Sequence, residues 1–106
     1  MNDWDYAARD AVLHDVQRER DAQHAKWGEQ NWPDGTGSDF QKGGAEWAKR
    51  RTDEAAVDGS LTYEHILTEE FFEALAESDK SKLRTELIQV AAVAVAWVEK
   101  LDREGA

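Results

Sequence analysis

The chain contains no cysteine among its 106 residues. Without thiols it can form neither a disulfide framework nor a thiolate metal site. Any metal ion would therefore be held by oxygen or imidazole groups. Carboxylate and amide oxygens favour hard cations, so magnesium is the expected ion, with manganese as a possible substitute.

Basic residues are also scarce. Lys and Arg together number 13, against 23 Asp and Glu, and the formal net charge is -10. Phosphate contacts in nucleic acids and anionic lipids need clustered cations, so we expect neither nucleic acid nor membrane as a partner. A small anionic substrate is compatible with this charge if a cation bridges it to the protein.

Long hydrophobic runs are missing as well. The longest apolar stretch, residues 90–98, is far too short to cross a bilayer. Residues 1–5 show no basic segment followed by an apolar one, as a signal peptide would have. The sequence therefore predicts a cytoplasmic protein.

Apolar residues recur at helical spacing in four segments, and no useful length alternates with a period of two. We predict an all-α fold, a four-helix bundle built as a single domain over residues 1–106. The first helix is predicted over residues 3–27. In the last helix residues 90–98 are apolar on all sides, so the other helices or a second subunit should enclose them.

Capping residues mark the starts of the two middle helices. Ser38 with Gln41 forms a capping box, and this second helix is expected to run to about residue 58. Its packed face is predicted to contain Phe40, Gly44, Trp47 and Arg51. Thr62 is the predicted N-cap of the third helix, which should end near residue 77. Polar residues 78–81 are predicted to form a turn before the fourth helix.

Acidic residues cluster at helical spacing in the third helix. Glu70, Glu73 and Glu77 are three and four residues apart and therefore share one face. In the fourth helix, Glu86 and Gln89 are three residues apart at the entry to the apolar segment. Two interpretations are equally open from these residues alone: a solvated acidic face, or a magnesium site made by Glu70, Glu73, Glu86 and Gln89.

The metal interpretation leads to a defined chemistry. A magnesium ion held by these oxygens would assist the attack of water on a phosphoanhydride. Glu70 would then take part in catalysis. Glu69, which lies beside it in the sequence and about 100° away around the helix, is the candidate general base.

The two acidic segments resemble a known motif pair. Residues 67–75, with sequence LTEEFFEAL, and residues 86–91, with sequence ELIQVA, resemble the EExxE and ExxD motifs of the MazG-like all-α pyrophosphohydrolases. The resemblance covers roughly the C-terminal half of the chain. Residues 19–30 also resemble the opening of short MazG-like proteins from actinobacteria and their phages.

The resemblance implies an activity and a set of ligands. Such enzymes use magnesium to convert nucleoside triphosphates to monophosphates and pyrophosphate, usually as dimers or tetramers. Glu70, Glu73 and Glu86 fall on metal-ligand positions of the family. Gln89 stands where the family usually has Asp, which removes a charge from the site. Catalysis would then be weak, altered or absent, and a binding module for a nucleotide or another protein is the alternative function.

Aromatic and basic residues suggest how a nucleotide would be bound. Trp27 and Trp32 flank the only long loop, where they would stack on a nucleobase or cap the bundle. Trp47 and Trp97 are predicted to be core residues. Triphosphates need cations besides the metal, so the candidates for phosphate binding are Lys49, Arg51 and Lys82, although a solvated face is the favoured interpretation of each. The three histidines are expected to be structural or surface residues.

Overall fold

The computed structural model of the chain describes residues 6–105. This part of the chain is all-helical, as predicted, with α1 at Tyr6–Trp27, α2 at Asp39–Asp58, α3 at Tyr63–Ala76 and α4 at Lys80–Arg103. Residues 3–5 of the predicted first helix lie outside the described residues.

The chain divides into two compact units. One consists of Asp34–Ala94 and contains α2, α3 and the first part of α4. The other consists of Met1–Pro33 together with Val95–Ala106. Among the described residues of this second unit, Val12, Val95 and Glu99 are buried.

The start and end of α2 agree with the sequence prediction. The Ser38 hydroxyl accepts a hydrogen bond from the Gln41 backbone N–H at 3.1 Å, and Gln41 Oε1 accepts one from the Ser38 N–H at 2.9 Å. Gly59 ends the helix in the left-handed conformation, with a φ of 81°. The predicted capping box is therefore confirmed.

α3 begins with a capping box in which histidine takes the usual place of Glu or Gln. The Thr62 hydroxyl accepts from the His65 N–H, and His65 Nδ1 accepts from the Thr62 N–H at 3.1 Å. These bonds satisfy backbone donors that a helix start leaves free. The predicted N-cap is confirmed, and His65 has the structural role expected of it.

The prediction of a turn over residues 78–81 is wrong at its end, because α4 already begins at Lys80. Asp79 explains the early start. Its Oδ1 accepts from the Lys82 N–H at 3.0 Å and from the Ser81 hydroxyl at 2.9 Å. An aspartate that takes up a free N–H of the first turn stabilises a helix start at that point.

Small residues allow α2 and α3 to pack closely. A Cβ added to Gly44 would lie 2.8 Å from Phe72 Cδ1. Farther along α2, Ala48, Thr52 and Ala55 are buried, and the Thr52 hydroxyl donates to the His65 carbonyl at 3.1 Å. The two backbones can approach each other because the side chains between them are short.

The predicted packed face of α2 is therefore only partly correct. Gly44 lies in the contact, but Phe40 is 88% exposed. Trp47, predicted to be a core residue, is 47% exposed. One edge of its ring system contacts Phe72, with ring centroids 5.9 Å apart, and the Arg51 guanidinium lies 5.6 Å from its centroid. Trp47 thus lies at the margin of the contact between α2 and α3, because the short side chains of α2 occupy the centre of that contact.

Exposure varies along α4. Leu83 and Val95 are buried, whereas Leu87, Ile88 and Val98 are exposed. Within the described residues, the predicted enclosure of residues 90–98 is therefore not complete at Val98. Enclosure by a second subunit, the alternative given by the sequence, stays a prediction.

Candidate metal centre

Three carboxylates from α3 and α4 meet in one place. Glu70 and Glu73 lie one turn apart on α3, and Glu86 lies on α4. One carboxylate oxygen from each of them lies within 4.8 Å of the other two, and all three side chains are half-buried. The sequence spacing placed these residues on facing helices, and the structure brings them together.

Gln89 joins the same cluster. One end of its side-chain amide lies 3.1 Å from both Glu86 Oε2 and Glu70 Oε2, and with Nε2 turned to that end the amide donates to both carboxylates. The amide thereby links α4 to α3 and offsets part of the negative charge without carrying a positive one. All four residues predicted as metal ligands are thus neighbours.

Two of the three carboxylates, Glu70 and Glu73, have raised pKa values. Burial, followed by the charges of Glu70, Glu86 and Glu69 and a hydrogen bond to Glu86, raises the pKa of Glu73 to about 7. Burial, with the charges of Glu86 and Glu69, also raises the pKa of Glu70. The cluster therefore holds negative charge unfavourably near neutral pH.

This set of donors fits a divalent cation. Three carboxylates and an amide that can turn its oxygen inward are the ligands that magnesium and manganese prefer. A cation would remove the repulsion that raises the pKa values of Glu70 and Glu73. Glu69 is half-buried beside the cluster and adds a fourth negative charge to its surroundings.

Lys49, one of the three predicted phosphate-binding residues, interacts electrostatically with carboxylates of this cluster and its surroundings. Its Nζ lies 2.9 Å from Asp53 Oδ2. This hydrogen bond is the main cause of a raised Lys49 pKa, and the charges of Glu69 and Glu73 add to it. No role is predicted for Asp53 from the sequence, although its spacing of four residues from Lys49 on a helix is a recognisable signal for such a pair.

Arg51, also predicted to bind phosphate, is engaged in an ion pair with Glu64. The guanidinium makes two hydrogen bonds to the carboxylate, one of them 2.7 Å long between Nη1 and Oε2. Hydrogen bonds from Arg51 and Thr68 lower the pKa of Glu64 to about 2. This pair ties α2 to α3, a contact that sequence spacing could not reveal because the partners are far apart along the chain.

Lys82, the third predicted phosphate-binding residue, lies exposed in the first turn of α4. Its neighbour Lys80 forms an ion pair with Asp34, with Nζ and Oδ2 2.9 Å apart. Lys82 therefore keeps an accessible ammonium group near the start of the helix that carries Glu86.

Residues of the loop before α2 hold the end of α3. The Thr36 hydroxyl donates to the Glu77 carbonyl at 2.6 Å, and the Gly37 N–H donates to the Leu75 carbonyl at 2.9 Å. Gly37 has a φ of 91°, and a Cβ there would lie 2.8 Å from the Ser78 Cβ. Glycine is needed at this position for both reasons.

Trp27 and Trp32 both line a cavity of about 460 Å³. The cavity is lined by residues 27 and 29–32. The two side chains are 62% and 79% exposed. The structure therefore brings these two predicted binding residues together around one open cleft.

Comparison of the chain with protein-family models, curated proteins and solved structures finds no match. A separate search of residues 6–105 for a helix with the length and apolarity to span a bilayer finds none.

Proposed function

We propose that the chain is a magnesium-dependent nucleoside triphosphate pyrophosphohydrolase of the MazG type, acting in the cytoplasm. The observation that supports this proposal is the cluster of Glu70, Glu73 and Glu86. Three carboxylates with oxygens within 4.8 Å of one another, of which Glu70 and Glu73 have raised pKa values, form a set of donors suited to a divalent cation. Their sequence spacing is also that of the motif pair in MazG-like enzymes.

The three carboxylates would hold the ion, with Gln89 as a neutral fourth ligand through its amide oxygen. Bound magnesium, or manganese in its place, would neutralise the charge that develops on the phosphates and lower the pKa of the attacking water. Glu69 would accept the proton of that water as general base. Its position next to Glu70 and its half-buried side chain support this role.

Cationic side chains of the same unit would bind the outer phosphate oxygens. Lys82 is exposed, and Lys49 would have to give up one exposed ion pair, with Asp53, to reach a ligand. Arg51 would have to exchange its hydrogen bonds with Glu64 for bonds to phosphate. We therefore assign phosphate binding first to the two lysines and give Arg51 a supporting role.

The enzyme would work as a homodimer or homotetramer. Leu87 and Ile88 on α4 are about half exposed, and no large side chain among the described residues is completely buried. Association would cover such apolar surface and complete a core that the single chain builds only in part.

A second candidate function follows from Gln89. With its nitrogen turned toward them, its amide offsets part of the negative charge of Glu70 and Glu86 by hydrogen bonding. Gln89 also brings one negative charge fewer than the Asp that MazG-like enzymes usually have. Such a site would hold the metal weakly and would bind a nucleotide or a protein without hydrolysing it.

Release of pyrophosphate from a panel of ribo- and deoxyribonucleoside triphosphates, with and without magnesium, separates the two functions. The enzyme should release pyrophosphate only with the metal. Glu70→Gln should abolish this release, whereas Glu46→Gln, which changes an exposed carboxylate on α2, should not. Nucleotide binding without release from any triphosphate would favour the binding module.

A further inference from the structure

The cleft between Trp27 and Trp32 is built by a short segment that leaves α1 abruptly. Gly28 adopts a φ of 69°, and its N–H donates to the His24 carbonyl at 2.8 Å. These features end the helix directly after Trp27. The following residues turn so that both indoles line the same cavity of about 460 Å³.

The exposed indoles provide flat apolar surfaces. Lys26 Nζ lies 4.9 Å from the ring centroid of Trp27 and so occupies one face of that ring. The remaining surface of Trp27 and most of Trp32 are open to a ligand. Aromatic side chains in such positions bind planar heterocycles by stacking, which also removes apolar surface from water.

A carboxylate supplies the polar side of the cleft. Glu29 Oε2 accepts a hydrogen bond from Asn31 Nδ2 at 2.9 Å, which holds both side chains at the cavity wall. That bond uses one of the two lone pairs of Oε2, so the carboxylate can still accept two parallel N–H groups, one on each oxygen. Among the common bases, guanine presents such a pair on its Watson–Crick edge, at N1 and the 2-amino group.

We propose that residues 27–32 form a nucleobase-binding cleft that prefers guanine. Trp27 and Trp32 stack on the base, and Glu29 accepts its N1 and 2-amino protons. The choice of a nucleobase as the planar ligand rests on the proposed function, whereas stacking and carboxylate recognition follow from the cleft itself.

Nucleosides without phosphate test the cleft independently of metal chemistry. The full chain, labelled with ¹⁵N, is titrated in EDTA with guanosine, inosine, adenosine, cytidine and uridine, and the indole N–H signals are followed by NMR. Guanosine should shift the signals of Trp27 and Trp32 and leave that of Trp47 in place. Inosine lacks the 2-amino group and should bind at least about fivefold more weakly.

Three variants complete the test. Trp32→Ala should abolish the shift of the Trp27 signal. Glu29→Gln should retain binding but lose the preference for guanosine over inosine. Phe40→Ala removes an exposed aromatic ring outside the cleft and should bind guanosine as the wild type does.

Absence of any shift with all five nucleosides would overturn the proposal, as would unchanged guanosine affinity in Trp32→Ala. Equal affinity for guanosine and inosine would overturn the role of Glu29. Nucleoside binding in a chain that releases no pyrophosphate would refute the hydrolase and leave the cleft intact. Pyrophosphate release without nucleoside binding would refute the nucleobase cleft and leave the hydrolase proposal intact.

Discussion

The side-chain amide of Gln89 on α4 lies 3.1 Å from Glu70 Oε2 on α3. This contact joins the two helices through a neutral group. If the cluster binds a metal ion as proposed, its affinity depends on how readily the amide presents oxygen instead of nitrogen.

Gln89→Asp should strengthen metal binding. The added carboxylate raises the ligand charge, so we expect magnesium to bind about tenfold more tightly, with faster pyrophosphate release. Isothermal titration calorimetry measures the affinity, and Gln89→Asn provides a control of the same length without the charge. An unchanged affinity in Gln89→Asp would place residue 89 outside the ligand set.

Without metal, the protein should be more stable at pH 5.5 than at pH 8. The pKa of Glu73 is about 7 in the folded chain against an ordinary value of 4.5. Between these two values the folded state binds more protons than the unfolded state, so stability falls as pH rises. Allowing for partial solvent exposure, we expect Glu73 to contribute about 1–2 kcal/mol to this difference.

Urea unfolding at the two pH values, in EDTA, measures the free energy of unfolding. Glu73→Gln should remove most of the difference in the free energy of unfolding between the two pH values, and Glu46→Gln should retain this difference. The opposite trend in the wild type, with higher stability at pH 8, would mean that the carboxylates are not close enough to repel one another.

Magnesium should stabilise the chain, and more so at pH 8 than at pH 6. Glu73 must lose its proton to bind the ion, and this costs more below its folded pKa of about 7. At one hundred times the dissociation constant, a ligand adds about 2.7 kcal/mol to the free energy of unfolding. Thermal unfolding followed by circular dichroism would measure this increase, and Glu70→Gln should eliminate it. Equal stabilisation of the variant would indicate binding elsewhere.

Gly44→Ala and Gly43→Ala should have opposite effects on stability. The Cβ of the first variant would lie 2.8 Å from the Phe72 ring, whereas nothing lies within 4 Å of a Cβ at Gly43. Displacing Phe72 should cost about 1–3 kcal/mol. Gly43→Ala should stabilise α2 by up to about 1 kcal/mol through helix propensity. Comparable destabilisation in both variants, measured by urea unfolding, would contradict the close contact of α2 with α3.

The features that the sequence predicts well are local ones. Ser38 and Thr62 begin helices through residues three positions away, and Glu70 and Glu73 share a face because of helical spacing. The meeting of these glutamates with Glu86 also follows from local rules, since a short turn joins the two helices.

Features that depend on distant partners could not be predicted. Arg51 looks like a free cation in sequence, but its partner Glu64 lies 13 positions away on another helix. Trp47 looks like a core residue because its neighbours are apolar, yet the short residues beside it set the distance between α2 and α3. Whether a side chain lies at the centre or at the margin of a helix contact depends on the partner helix. The sequence of one helix alone does not specify this.

The hydrogen bonds from Thr36 and Gly37 have a consequence for the proposed metal centre. They occupy the carbonyl groups of Glu77 and Leu75, which a helix end otherwise leaves free to fray. Glu73 lies only one turn earlier, so its backbone is fixed before any ion arrives. An ion that finds its ligands already in position does not have to order them, and association is favoured by the entropy saved.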